Sequence, residues 1–131
     1  MSSIDEAKAL IETYRQQYGF TSPLQCGEYA LTPENWRSNY IPYCDKQGVY
    51  LFFGSSGSLL YVGKASMGHD LGREICRHFS SRPQLESISA LWSEKPSNLL
   101  VVAVENAYEA PSLEEYLILK LNPRDNTLGR L

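Results

Sequence analysis

The stretch GVYLFFGSSGSLLYVGK, residues 48 to 64, limits the possible folds more than any other part of the chain. Two apolar, tyrosine-bearing runs are held apart by the polar segment SSGS, where Gly57 helps to make a tight turn, so the stretch reads as a β-hairpin. A hairpin needs no glycine at its outer ends, yet Gly48 and Gly63 stand there. A missing side chain in a strand is useful where another group must come close to the backbone. Pairing across the turn brings Tyr50 and Tyr61 near one another, leaving two phenolic hydroxyls close together. As far as the hairpin alone goes, the ordinary preference of tyrosine for strands accounts for both.

The remaining elements follow from spacing. NLLVVAV, residues 98 to 104, reads as a further strand whose uninterrupted apolar run implies cover on both faces. Ser3 and Glu6 form a capping box, and Ala7, Leu10, Ile11 and Tyr14 recur at helical spacing until Gly19. Residues 20 to 47, with Pro23, Gly27, Pro33 and Pro42, show no sustained period and read as an irregular arm packed on the domain. Asp70 can cap a helix carrying Leu71, Ile75 and Phe79 on one face, and a second helix is expected near Pro83. Ser112 opens a last helix that runs to about Leu121 and is ended by Asn122-Pro123. The order α, ββ, αα, β, α describes an α/β protein.

Size and charge narrow the class. A chain of 131 residues has the length of one domain. A hydrophobic fraction of 43% with 21% charged residues is that of a soluble globular protein. No apolar run approaches the roughly 20 residues of a membrane span. The N-terminus has acids early and no cationic segment leading into an apolar one, so the expectation is a cytoplasmic protein without a signal peptide or membrane contact. Cys26, Cys44 and Cys76 show no CxxC spacing and read as reduced thiols rather than a zinc site or disulfide framework. A net charge of −3 argues against generic nucleic-acid binding, so any basic patch has to be local.

GVY, then YVG, then a helix with arginine and histidine, then a glutamate helix ending in an NPxxN tail, resembles the GIY-YIG nuclease family over roughly residues 47 to 126. The segments YVGKA and EEYLILKLNPRDN are most similar to the nuclease domain of the bacterial nucleotide-excision-repair incision subunit and its small standalone relatives. The resemblance implies a GIY-YIG-like α/β domain over residues 47–131, with a small three-stranded antiparallel sheet flanked by helices. Residues 1–46 then form an N-terminal helix and arm, a possible surface for a protein partner. It implies that the substrate is DNA, whose phosphodiesters are hydrolysed with one divalent ion, Mg²⁺ or Mn²⁺. Carried over by position, the motif tyrosines fall on Tyr50 and Tyr61, the repair-branch lysine on Lys64, the metal-binding glutamate on Glu114 and the terminal asparagine on Asn126.

Chemistry gives each a task. Phosphodiester hydrolysis needs a proton acceptor for the attacking water, neutralisation of charge on the phosphoryl oxygens, and help for the leaving oxygen. Tyr50 is a candidate base only if positive charge lowers its pKa from about 10. Glu115 belongs to an SxxE capping box with Ser112, whereas Glu114 borders Leu117, Ile118 and Leu121, where a bound cation would satisfy it. The family's helix places an arginine four residues before its histidine or tyrosine. Here Arg73 stands five before His78, and Glu74 takes the four-residue spacing. On a regular helix Glu74 and His78 share a flank; a 3₁₀ turn over residues 70 to 72 would bring Arg73 round instead, with Arg77 the next candidate. His69 is a loop histidine within possible reach. The resemblance and this chemistry together point to a metal-dependent DNA endonuclease; the alternative is a non-catalytic domain of the same fold that binds nucleic acid or a protein, and a purely structural adaptor is a third reading.

Overall fold

Alternation along the hairpin strands sets the architecture. In a computed structural model that describes residues 3–18, 25–81, 86–87 and 92–126, the chain runs through α1 (Ile4–Gln17), β1 (Gln25–Ala30), α2 (Pro33–Ser38), β2 (Gly48–Gly54), β3 (Leu59–Ala65), α3 (Leu71–Cys76), β4 (Phe79–Ser81), β5 (Glu86–Ser87), β6 (Pro96–Ala103) and α4 (Glu109–Leu121). β1, β6, β2 and β3 form one antiparallel sheet in that order, and β4 pairs with β5 in a separate ladder. Successive strand residues point to opposite faces. Val49, Leu51, Leu100 and Val102 therefore meet α1 and α4, through Ala7, Ile11, Leu113 and Leu117. Tyr50, Phe52, Leu99 and Val101 face the other way, toward Leu71 and Ile75 of α3 and the rings of Trp36, Phe79 and Trp92. Both faces of the apolar strand β6 are covered, as its composition implies.

The α/β class and the antiparallel sheet stand, but the sheet has four strands rather than three. The extra strand comes from the segment read as an irregular arm. Gln25–Ala30 pairs with β6, and the next residues form the short helix α2, capped by the Thr32 hydroxyl on the Asn35 N–H with Pro33 in its first turn. As an edge strand β1 buries only Tyr29, so no two-residue period shows in its sequence. α1 has the expected cap, the Ser3 side chain accepting from the Glu6 N–H, and Ala7, Ile11 and Tyr14 as its buried stripe. Gly19, expected as its stop, and Pro83, expected to open a helix, lie outside the described residues. The segments flanking Pro83 are the two strands β4 and β5.

α4 corrects the capping assignment. The helix starts before Ser112, at Glu109, whose buried carboxylate accepts the Asn106 N–H at 2.7 Å. Glu109 thus does the work assigned to Glu115, which is exposed, while the Ser112 hydroxyl pairs with the Tyr14 hydroxyl at 2.6 Å and ties α4 to α1. Asn122 ends α4 in the left-handed conformation, just before Pro123. No described helix is long and apolar enough to cross a membrane.

Candidate active site

Tyr50 leaves the middle of β2 on the aromatic face and is only 3% exposed. Its cross-strand neighbour is Gly63, where a Cβ would lie 2.4 Å from the Tyr50 ring. At Gly48 a Cβ would lie 1.9 Å from the Val102 carbonyl oxygen. The two glycines therefore make room for the protein's own groups, a ring laid across β3 and the close approach of β6. Tyr61 sits opposite Phe52, diagonal to Tyr50, with ring centroids 6.2 Å apart.

The helix reading of residues 70 to 79 is corrected at its far end. Asp70 caps α3 through the Arg73 N–H, and the Glu74 N–H donates to the Asp70 carbonyl, so the helix begins as a regular α-helix without a 3₁₀ start. It stops at Cys76. The His78 N–H donates to the Ile75 carbonyl in a tight turn, and Phe79 enters β4. That turn swings His78 onto the sheet, Nε2 2.9 Å from the Tyr50 hydroxyl. His78 is consequently not on the helix flank that it was expected to share with Glu74. Glu74 is nevertheless largely covered, held by Arg77 at 3.1 Å and faced by His69 at 3.8 Å. Arg73 is exposed.

Burial decides the protonation states. It pushes the Tyr50 phenol far above its ordinary value, and the negative potential of Tyr61, Glu74 and Glu114 adds to the shift, with Arg77 opposing. Burial, then Glu114 and Glu74, raises Tyr61 as well. His78 is lowered by burial; Glu74 works against this and Arg77 with it. At neutral pH the pair is thus a neutral phenol and a neutral imidazole joined by a hydrogen bond. Within the protein alone the pull of Arg77 does not offset burial, so the lowering on which Tyr50 as a base depends has to come from elsewhere. Arg77, not Arg73, is the cation felt by Tyr50 and His78.

Glu114 lies half-buried on α4, and its charge reaches both tyrosines. Lys64 is exposed; by alternation with Val62 it leaves β3 toward the α1/α4 face rather than beside Tyr61. Asn126 is buried and doubly bound to edge strand β3: its Oδ1 accepts the Val62 N–H at 2.7 Å and its Nδ2 donates to the Val62 carbonyl at 2.9 Å. With the Asp125 N–H donating to the Leu60 carbonyl, the C-terminal segment closes the edge on which Tyr61 stands. Trp92, which no motif pointed to, packs 5.8 Å from both Tyr61 and His78. Its indole came together with the site through the loop before β6, a long-range contact with no local sequence signal.

Residues 46–127 match the family model described as the UvrC-like GIY-YIG domain. The chain belongs to that family. UvrABC system protein C of Anaplasma marginale is 35% identical over 92 residues, 70% of this chain and 14% of the relative. The proteins of the same name from Hydrogenovibrio crunogenus (35% over 86 residues, 66% and 13%) and Thermosipho africanus (38% over 84 residues, 64% and 14%) are similar in extent. The chain therefore spans about one seventh of the length of the curated relatives it matches. The matched region holds all of β2, β3, α3, β6 and α4, and with them Tyr50, Tyr61, His78, Glu114 and Asn126.

Proposed function

We propose that this GIY-YIG domain is a divalent-metal-dependent endonuclease that hydrolyses phosphodiester bonds of DNA. The observation that carries the reading is the 2.9 Å contact between the Tyr50 hydroxyl and Nε2 of a neutral His78, placed where Glu114 contributes a carboxylate. Tyr50 accepts a proton from the attacking water as its own proton passes to Nε2, and Glu74 stabilises the imidazolium so formed. Tyr61, neutral and half-exposed, donates to the leaving oxygen. Arg77 supplies positive charge toward the phosphate, in the role that the sequence assigns first to Arg73.

The residues fit a hard cation loosely bound. No group of three or more His, Cys, Asp or Glu that could hold a metal occurs among the described residues. Glu114 alone suits Mg²⁺ or Mn²⁺, which keeps several waters and completes its shell with substrate phosphate. Such an ion would neutralise charge on the phosphoryl oxygens and acidify a bound water.

A specific observation favours the non-catalytic alternative: Glu74, a largely covered carboxylate, takes the place four residues before His78 where the resemblance puts an arginine. The two readings separate in one assay. Supercoiled, branched and single-stranded DNA are incubated with Mg²⁺ or Mn²⁺ and then with EDTA. Metal-dependent cleavage that Glu114→Gln abolishes supports the nuclease; DNA binding without cleavage in any metal supports the alternative.

A further inference from the structure

On the aromatic face of the sheet, across α3 from His78, a cleft of about 440 Å³ opens between α2, the segment leading to β2, and α3. That volume is within the range of small-ligand sites. Tyr29 and Trp36 form its apolar wall, Gly72 and Cys76 belong to α3, and Arg37 and Tyr40 stand at its rim. Tyr40 is 92% exposed, an unusual state for so large a ring. Arg37 is exposed too and takes part in no ion pair among the described residues. These groups lie outside residues 46–127 except for the two on α3, so the family match assigns the cleft nothing.

α3 is a wall shared by two compartments. Gly72 and Cys76, one turn apart, line the cleft, while the turn that follows α3 lays His78 against Tyr50. The cleft and the site are also joined by packed rings: Trp36 touches Phe79 at 5.5 Å, Phe79 touches Phe52 at 5.8 Å, and Phe52 touches His78 at 5.2 Å. An aromatic wall with an exposed guanidinium at its mouth matches a nucleotide, whose base stacks on rings and whose phosphate is met by arginine.

We propose that the cleft holds an unpaired nucleotide of the DNA strand whose phosphodiester lies at the tyrosines, its base against Trp36 and Tyr40 and its phosphate on Arg37. The identity of the strand rests on the nuclease reading; the binding does not. The chain would then prefer DNA with a single-stranded segment beside the cut.

The test uses the full chain in EDTA, where no cleavage occurs. In a Trp92→Phe background Trp36 is the remaining tryptophan, and its fluorescence is followed while a short oligothymidylate is added, with thymidine monophosphate in a parallel arm. The expected result is saturable quenching by the oligonucleotide, weakened about tenfold by Tyr40→Ala and by Arg37→Ala, with melts unchanged because both side chains are exposed. No quenching, or affinities equal to that of the parent in both variants, overturns the proposal. Mononucleotide binding as tight as that of the oligonucleotide overturns the strand assignment in favour of a free-nucleotide site. Failure of the nuclease reading is distinguishable: binding that depends on Arg37 and Tyr40, in a protein that cuts no DNA, keeps the cleft and removes the nuclease.

Discussion

The two faces of the central sheet are made by alternate residues of the same strands, yet they differ in kind. The face under α1 and α4 is aliphatic for most of its extent and sealed by two helices, with Val49, Leu51, Leu100 and Val102 fully buried. The opposite face is aromatic, covered by the short α3 and by loops, and it carries the hydroxyls of Tyr50 and Tyr61 and the ring of His78. Neighbours on one strand, Val49 and Tyr50, thus serve different ends: one holds the sheet to its helices, the other sets a buried hydroxyl against His78. Stability and chemistry can therefore be damaged separately.

The sharpest break of this comparison is Tyr50→Phe. It removes one hydroxyl from the aromatic face and should lower single-turnover cleavage by about 10²- to 10⁴-fold, with about 1 kcal/mol lost in stability through the missing bond to His78. Leu100→Ala is its counterpart on the aliphatic face. Denaturant melts should show a loss of about 2 to 5 kcal/mol, while the rate per folded molecule stays near that of the parent. Asn126→Ala tests the sheet edge: leaving the Val62 N–H and carbonyl without the side chain that binds them should cost about 1 to 3 kcal/mol, with faster amide exchange along β3. Glu115→Gln is expected to do least, within about 0.5 kcal/mol in a thermal melt and with cleavage intact, because the cap it was assigned is made by Glu109. A large loss of stability there would restore the capping box at Ser112.

What was legible in the sequence depended on local pattern. The hairpin, the Ser3 cap and the end of α4 at Asn122-Pro123 each rest on residues within one turn or one strand pair, and each is found where spacing placed it. β1 was hidden because an edge strand that buries Tyr29 alone carries no alternation. The end of α3 was hidden for a subtler reason. Leu71, Ile75 and Phe79 do share one core, as their spacing says, but Phe79 reaches it from β4 after the helix has stopped. The orientation of His78 follows from that stop, and so does the relation of Glu74 and Arg77 to the tyrosines. Gly48 and Gly63 were rightly singled out as places of close approach; that the approaching groups are Val102 and Tyr50 needed the packed structure.

The central claim is that a neutral His78 takes the proton of Tyr50 during cleavage, and the pH dependence of single-turnover DNA cleavage in Mg²⁺ tests it most directly. Because burial lowers the pKa of His78 from its ordinary value near 6.5, the imidazole is free to accept throughout the neutral range and becomes protonated only below about pH 6.5. The same sign holds for stability: the unfolded chain binds this proton at a higher pH than the folded one, so the contribution of His78 is intact above pH 6.5 and is lost as pH falls through the depressed value. The account predicts a rate that is level above that limit and falls below it, with the acid limb missing from whatever residual activity His78→Gln retains. A rate that climbs about tenfold per pH unit from neutrality toward the titration of a phenol, unaltered by His78→Gln, would contradict it and return the role of base to a Tyr50 phenolate.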